Sequence, residues 1–86
     1  MVRRRGRNKM IHDLKILPEF YEAVLSNEKT FEIRRNDREY LVGDCLILNE
    51  YCEGKYTGRQ VKGRITYITN YEQKEDYVVF SFKLGK

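Results

Sequence analysis

Lys29, Glu32 and Arg34 are the residues of this chain whose types and spacing fit a chemical task. They lie in the run Asn27-x-Lys29-x-x-Glu32-x-Arg34, within the alternating stretch Lys29-Thr30-Phe31-Glu32-Ile33-Arg34. An extended strand turns Thr30, Glu32 and Arg34 to one face and Phe31 and Ile33 to the other, with Lys29 at its entrance. Two cations beside a carboxylate can neutralise a phosphate, the arginine through two nitrogens at once. The carboxylate can orient that arginine or accept a hydrogen bond from a base amino group, as carboxylates do with cytosine. Strands facing water also carry Lys, Glu and Arg as an ordinary solvated set, so spacing alone leaves both readings open.

Two further candidates stand upstream. His12-Asp13-Leu14-Lys15-Ile16 alternates, placing His12 and Leu14 on one face of a short strand and Asp13 and Lys15 on the other. Lys15 suits a phosphate. His12 either stacks on a base or fills the interior. The seven tyrosines, with no tryptophan, are compatible with base stacking. Tyr51, Tyr56 and Tyr71 read as surface residues, while Tyr21 and Tyr67 fall on apolar faces and read as the edge of the core.

These residues need elements to hold them. Pro18 suits the first turn of a helix, where a missing N–H is harmless. Leu17, Phe20, Tyr21, Val24 and Leu25 recur at three- and four-residue spacings and predict one apolar helical stripe. Asn27 suits the left-handed position that closes such a helix. Asn36-Asp37 and Val42-Gly43-Asp44 are turns, and a strand follows from Cys45 to Tyr51. A hairpin loop is expected over residues 52–58, then a strand with Val61, Gly63, Ile65 and Tyr67 on one face and a bulge at Gly63. In the last strand Val78, Phe80, Phe82 and Leu84 face inward. Phe31, Ile33, Val61, Ile65, Val78, Phe80 and Phe82 are thus expected to pack together against Phe20 and Val24. The fold class is mostly β (α+β): a small barrel of about five strands with one helix after the first.

Composition sets the outer limits. The chain has 86 residues, 35% of them charged and 41% hydrophobic, which suits one small domain. Of 17 basic residues, five fall in the first nine positions (Arg3, Arg4, Arg5, Arg7, Lys9), leaving 12 against 13 acidic ones and a nearly neutral body. The expected division is a basic disordered tail over residues 1–10 and a domain over 11–86. Such an arm either pairs with phosphates without reading sequence or solubilises the chain. No apolar run approaches the roughly 20 residues of a membrane helix, and no apolar stretch follows the basic start as in a signal peptide, so a cytoplasmic protein is expected. Cys45 and Cys52, seven apart, match neither a zinc pattern nor a redox pair and read as small packing residues with free thiols. No metal or cofactor is implied.

The run Asn27-x-Lys29-x-x-Glu32-x-Arg34 resembles the G-x-K-x-x-E-x-R signature of the ASCH domains, with asparagine in place of glycine. The surroundings agree: a strand, a proline-led helix, the signature strand, then Val42-Gly43-Asp44 opening the next. His12-Asp13-Leu14-Lys15, Asp37 and Val42-Gly43-Asp44 resemble in particular the small bacterial and phage-encoded ASCH-like family of unknown function. The resemblance spans residues 11–84. It implies a PUA-like β-barrel whose cleft beside the first helix holds RNA or a nucleotide. Lys29, Glu32 and Arg34 would line that cleft, with His12 and Lys15 as neighbours.

The expected function is therefore a nucleic-acid-binding module, with RNA the favoured ligand. An alternative of another class also follows from the resemblance. Some bacterial ASCH proteins hydrolyse the amide of N4-acetylcytidine with a lysine, a threonine and a glutamate. Lys29 matches that lysine, but Glu32 stands where the threonine would be, and residues 70–76 are too short for the insertion that carries the glutamate. In an enzyme, Lys29 and Glu32 would be the catalytic candidates, the lysine serving as a base if burial lowered its pKa.

Overall fold

The computed structural model describes residues 9–85, so most of the expected basic tail, residues 1–8, lies outside the described residues. Strand β1 (Ile11–Ile16) buries His12, Leu14 and Ile16 and exposes the residues between, as its alternation dictates. Helix α1 (Pro18–Leu25) opens on Pro18 with Leu17 as its extended cap. It closes through Asn27, whose φ of 68° is the left-handed turn predicted for it. The N–H groups of Glu28 and Lys29 both donate to the Ala23 carbonyl, at 2.9 and 3.0 Å, which sets Lys29 at the base of the helix. The remaining elements are β2 (Phe31–Arg35), β3 (Cys45–Cys52), β4 (Lys55–Thr69) and β5 (Tyr77–Leu84).

All five strands form one sheet in the order β1-β3-β4-β5-β2. Only β1 and β3 run parallel; the other pairs are antiparallel. The result is a mostly β domain built on a curled half-barrel, with β1 and β2 as its two edges. Its core gathers Leu14, Ile16, Tyr21, Val24, Tyr40, Leu46, Leu48, Ile65, Ile68, Val78, Phe80 and Phe82. Phe80, Leu46, Leu48, Ile65 and Val24 are fully enclosed. Each such side chain contributes about 1.5–3 kcal/mol relative to exposure.

The structure revises the sequence expectations at five places. First, β2 presents the opposite face to the core. Its register sets Glu32 beside Phe80 and Arg34 beside Val78, both inward residues, so Phe31 and Ile33 turn out. Phe31 is 42% exposed and Glu32 only 5%. Second, only Tyr21 and Val24 of the helical stripe are buried; Leu17, Phe20 and Leu25 stay exposed. Third, Tyr67 is 65% exposed, because the β4–β5 register shifts between Ile65 and Tyr67 and buries Ile68 instead. Fourth, that shift and another at Asn49/Tyr51 replace the bulge expected at Gly63. Gly63 is required for a different reason: a Cβ there would lie 2.8 Å from the Lys83 carbonyl oxygen. Fifth, the expected loop over 52–58 is a tight turn at Glu53-Gly54, and Cys45 is exposed rather than packed.

Candidate functional site

The end of α1 and the inward face of β2 bring Lys29, Glu32 and Arg34 together. Glu32 Oε1 accepts from Arg34 Nε at 2.9 Å, and Glu32 Oε2 accepts from Lys29 Nζ. Lys29 also donates to the Phe31 carbonyl at 2.7 Å. A buried carboxylate is tolerated here because both oxygens have cationic donors. Arg34 spends a second nitrogen on the other edge of the sheet, donating from Nη2 to the Lys15 carbonyl at 2.7 Å. Among the described residues its Nη1 makes no such bond, and the side chain is 25% exposed, so that end of the guanidinium can donate outward.

Above this charged floor runs an open groove of about 610 Å³ between α1, the end of β1 and the edge of β2. Leu17, Phe20, Phe31 and Ile33 form its apolar walls, and Lys15 and Arg35 stand at its rim. The Lys29 ammonium lies 5.6 Å from the centre of the Phe20 ring and 5.0 Å from that of Phe31. Four cations (Lys15, Lys29, Arg34, Arg35) surround one carboxylate, Glu32, so the groove favours an anion. Flat aromatic walls over a cationic floor can take a planar ring on one side and a phosphate on the other.

Four of the five sequence-predicted site residues therefore border one groove, and His12 does not. Its ring is buried on the inner face of β1, with Nε2 2.8 Å from Asp44 Oδ2 and its edge against Tyr40 at 4.7 Å. Asp44 also receives the backbone N–H groups of Leu41 and Met10, so His12 belongs to a lock on the Val42-Gly43-Asp44 turn rather than to the groove. Lys15 does reach the rim, and its ammonium also sits 4.5 Å over the Tyr51 ring.

Sequence reasoning missed the aromatic walls. The periodicity of Phe20 and Phe31 is that of core residues, and on sequence alone they read as core. A signal was nonetheless present: Phe20, Tyr21, Val24 and Leu25 on a helix this short, with Leu17 at its cap, exceed what one face can bury.

A third buried carboxylate, Glu50, lies on the inner face of β3. It accepts from Thr57 Oγ1 at 2.7 Å and from Arg59 Nε and Nη2 at 2.9 and 3.1 Å. These bonds, Arg59 first and Thr57 next, hold its carboxyl below the ordinary glutamate range. Arg59 in turn covers the Tyr21 ring at 4.7 Å and pairs with Glu22, joining helix to sheet.

Residues 11–82 match a family described as "Domain of unknown function (DUF3850)". The chain is also 42% identical over 77 residues to the "Uncharacterized 12.9 kDa protein in GpA 3'region" of Escherichia phage P2, covering 88% of this chain and 71% of the phage protein.

Proposed function

The chain belongs to the DUF3850 family, and we propose that it is a nucleic-acid-binding module of PUA-like architecture whose groove beside α1 holds RNA. The observation that carries this reading is the floor of that groove, a buried Glu32 clamped between Lys29 and Arg34 beneath the exposed Phe20 and Phe31. The base stacks on the phenylalanine walls, and Arg34 and Lys15 take the phosphate. Residues 1–9 add sequence-independent attraction through their five cations.

The test is titration of labelled single-stranded RNA pools against the wild type and three variants. Phe31→Ala, at an outward position, removes a wall without touching the core and should weaken binding. Arg34→Ala should weaken it in a way that added salt only partly mimics. Deleting residues 1–9 should weaken it for all sequences and flatten the salt dependence. Equal affinity of all four proteins would sink the nucleic-acid reading.

One contact favours the second reading, an amidohydrolase acting on N4-acylated cytidine: Lys29 and Glu32 touch within the groove. Lysine beside a carboxylate is a usable acid–base pair. Here, however, two of the three Lys29 N–H donors go to Glu32 and the Phe31 carbonyl, and Glu32 is shared with Arg34. That arrangement supports a binding floor rather than a catalytic one.

A further inference from the structure

The groove has a neighbour on the outer face of the sheet. Tyr51 and Tyr56 pair across the β3–β4 hairpin, with ring centres 5.1 Å apart and planes at 76°. Glu53 (φ 50°) and Gly54 (φ 82°) close the hairpin with two left-handed residues, the geometry of the tight turns that suit twisted strands. The pair is therefore presented at the tip of a tight hairpin. Tyr56 is 58% exposed although its ring is large and apolar. Lys15 connects the two regions. Its ammonium lies 4.5 Å from the centre of Tyr51 and 5.9 Å from that of Tyr56, while the same residue borders the groove. Arg34 holds the main chain of Lys15 by donating to its carbonyl. The nearby Asp13 carboxylate is engaged by Asn49 Nδ2 at 3.1 Å.

We infer that Tyr56, backed by Tyr51 and reached across Lys15, is a second base-stacking subsite, so that the ligand is a single strand spanning both places rather than a free nucleotide. The inference rests on the groove reading above and specifies its substrate. One base occupies the Phe20–Phe31 walls. Lys15 neutralises phosphate between the subsites, and a further base stacks on the Tyr56 ring. Charge favours this occupant: Lys29, Arg34 and Lys15 border the groove, and Lys15 carries the positive charge on to the tyrosine pair. Stacking needs the ring and not the hydroxyl, which separates phenylalanine from smaller replacements.

The experiment measures binding of uridine monophosphate and of labelled octauridylate to the wild type, Tyr56→Ser, Tyr56→Phe, Lys15→Ala and Phe31→Ala, with a thermal melt of each protein. The wild type should prefer octauridylate. Tyr56→Ser should weaken octauridylate by about five-fold or more, the factor expected for one lost stacked base, and leave the mononucleotide unchanged. Tyr56→Phe should bind as the wild type does. Lys15→Ala should also reduce the preference for the longer probe. If Tyr56→Ser binds octauridylate as the wild type does while Phe31→Ala weakens both probes, the second subsite is refuted and the groove stands. If Phe31→Ala changes neither probe, the groove reading fails and the inference falls with it. A Tyr56→Ser protein that melts early yet keeps its octauridylate affinity would assign the tyrosine pair to hairpin stability alone, and overturns the inference.

Discussion

The guanidinium of Arg34 donates to the main-chain oxygen of Lys15 across 2.7 Å, and in doing so ties β2 to β1, the two edges of the sheet. Arg38 repeats the device one strand period away, donating from Nη1 to the Asp13 carbonyl at 2.9 Å. Successive outward carbonyls of an edge strand lie two residues apart, so two arginines cover what would otherwise be an unpaired row. The seam of the half-barrel is thus closed by side chains, and the groove opens beside it. Arg34 serves both the seam and the charged floor.

Removing Arg34 should therefore destabilise the fold more than removing Arg38. Arg34→Ala takes a donor from the Lys15 carbonyl and leaves the buried Glu32 with one cation, a loss of about 1.5–3 kcal/mol for bonds to a charged group. Arg38→Ala removes one exposed bond, worth about 1 kcal/mol or less. Urea denaturation of the two variants and the wild type measures both. A larger loss for Arg38→Ala would show that the seam does not depend on the Glu32–Arg34 pair.

The reversed face of β2 has its own consequence. Phe80→Ala, at a fully enclosed position, should lower stability by about 3–5 kcal/mol. Phe31→Ala and Ile33→Ser, at exposed positions on the neighbouring strand, should stay within about 0.5 kcal/mol of the wild type. Core-sized losses at Phe31 would restore the orientation that alternation alone suggests.

That reversal shows where the sequence stops being legible. Strand β1, the proline-led helix with its Asn27 end, and the inward row of β5 follow from local pattern, and the structure keeps them. The face of β2 does not follow locally. In Phe31-Glu32-Ile33-Arg34 the apolar residues look like the buried ones, yet pairing with β5 aligns Glu32 with Phe80. Burial of Glu32 becomes tolerable only when Lys29 and Arg34 bring their charges to it, a condition no window of sequence displays. Tyr67 is lost the same way, since a one-residue register shift reverses every later side chain. The convergence of Lys29, Glu32 and Arg34 was legible because strand spacing places the last two on one face. The aromatic walls were not, because they depend on Phe31 facing outward.

Glu50 predicts the acid behaviour. Arg59 and Thr57 hold its carboxyl below the ordinary range, so the unfolded chain takes up this proton at a higher pH than the folded one. The stabilisation is present in full above the unfolded value and is lost as pH falls through the folded one. Thermal midpoints should therefore drop as pH falls below the ordinary glutamate range, and drop less steeply in Glu50→Gln, which carries no carboxyl to titrate. Identical acid slopes for the two proteins would remove Glu50 from the account.

The last prediction separates a binding floor from a catalytic one at Lys29. As a binding residue it supplies charge and N–H donors to Glu32, to the Phe31 carbonyl and to the ligand. Arginine supplies both, so Lys29→Arg should retain much of the RNA affinity. As the base of an amidohydrolase it would have to give up its proton during turnover, which arginine cannot do. In addition, Glu32 is held from both sides by cations. The wild type should therefore release no measurable acetate from N4-acetylcytidine, while Lys29→Ala weakens RNA binding and Lys29→Arg largely restores it. Turnover by the wild type that vanishes in Lys29→Arg would place the lysine in catalysis and promote the hydrolase reading over the binding one.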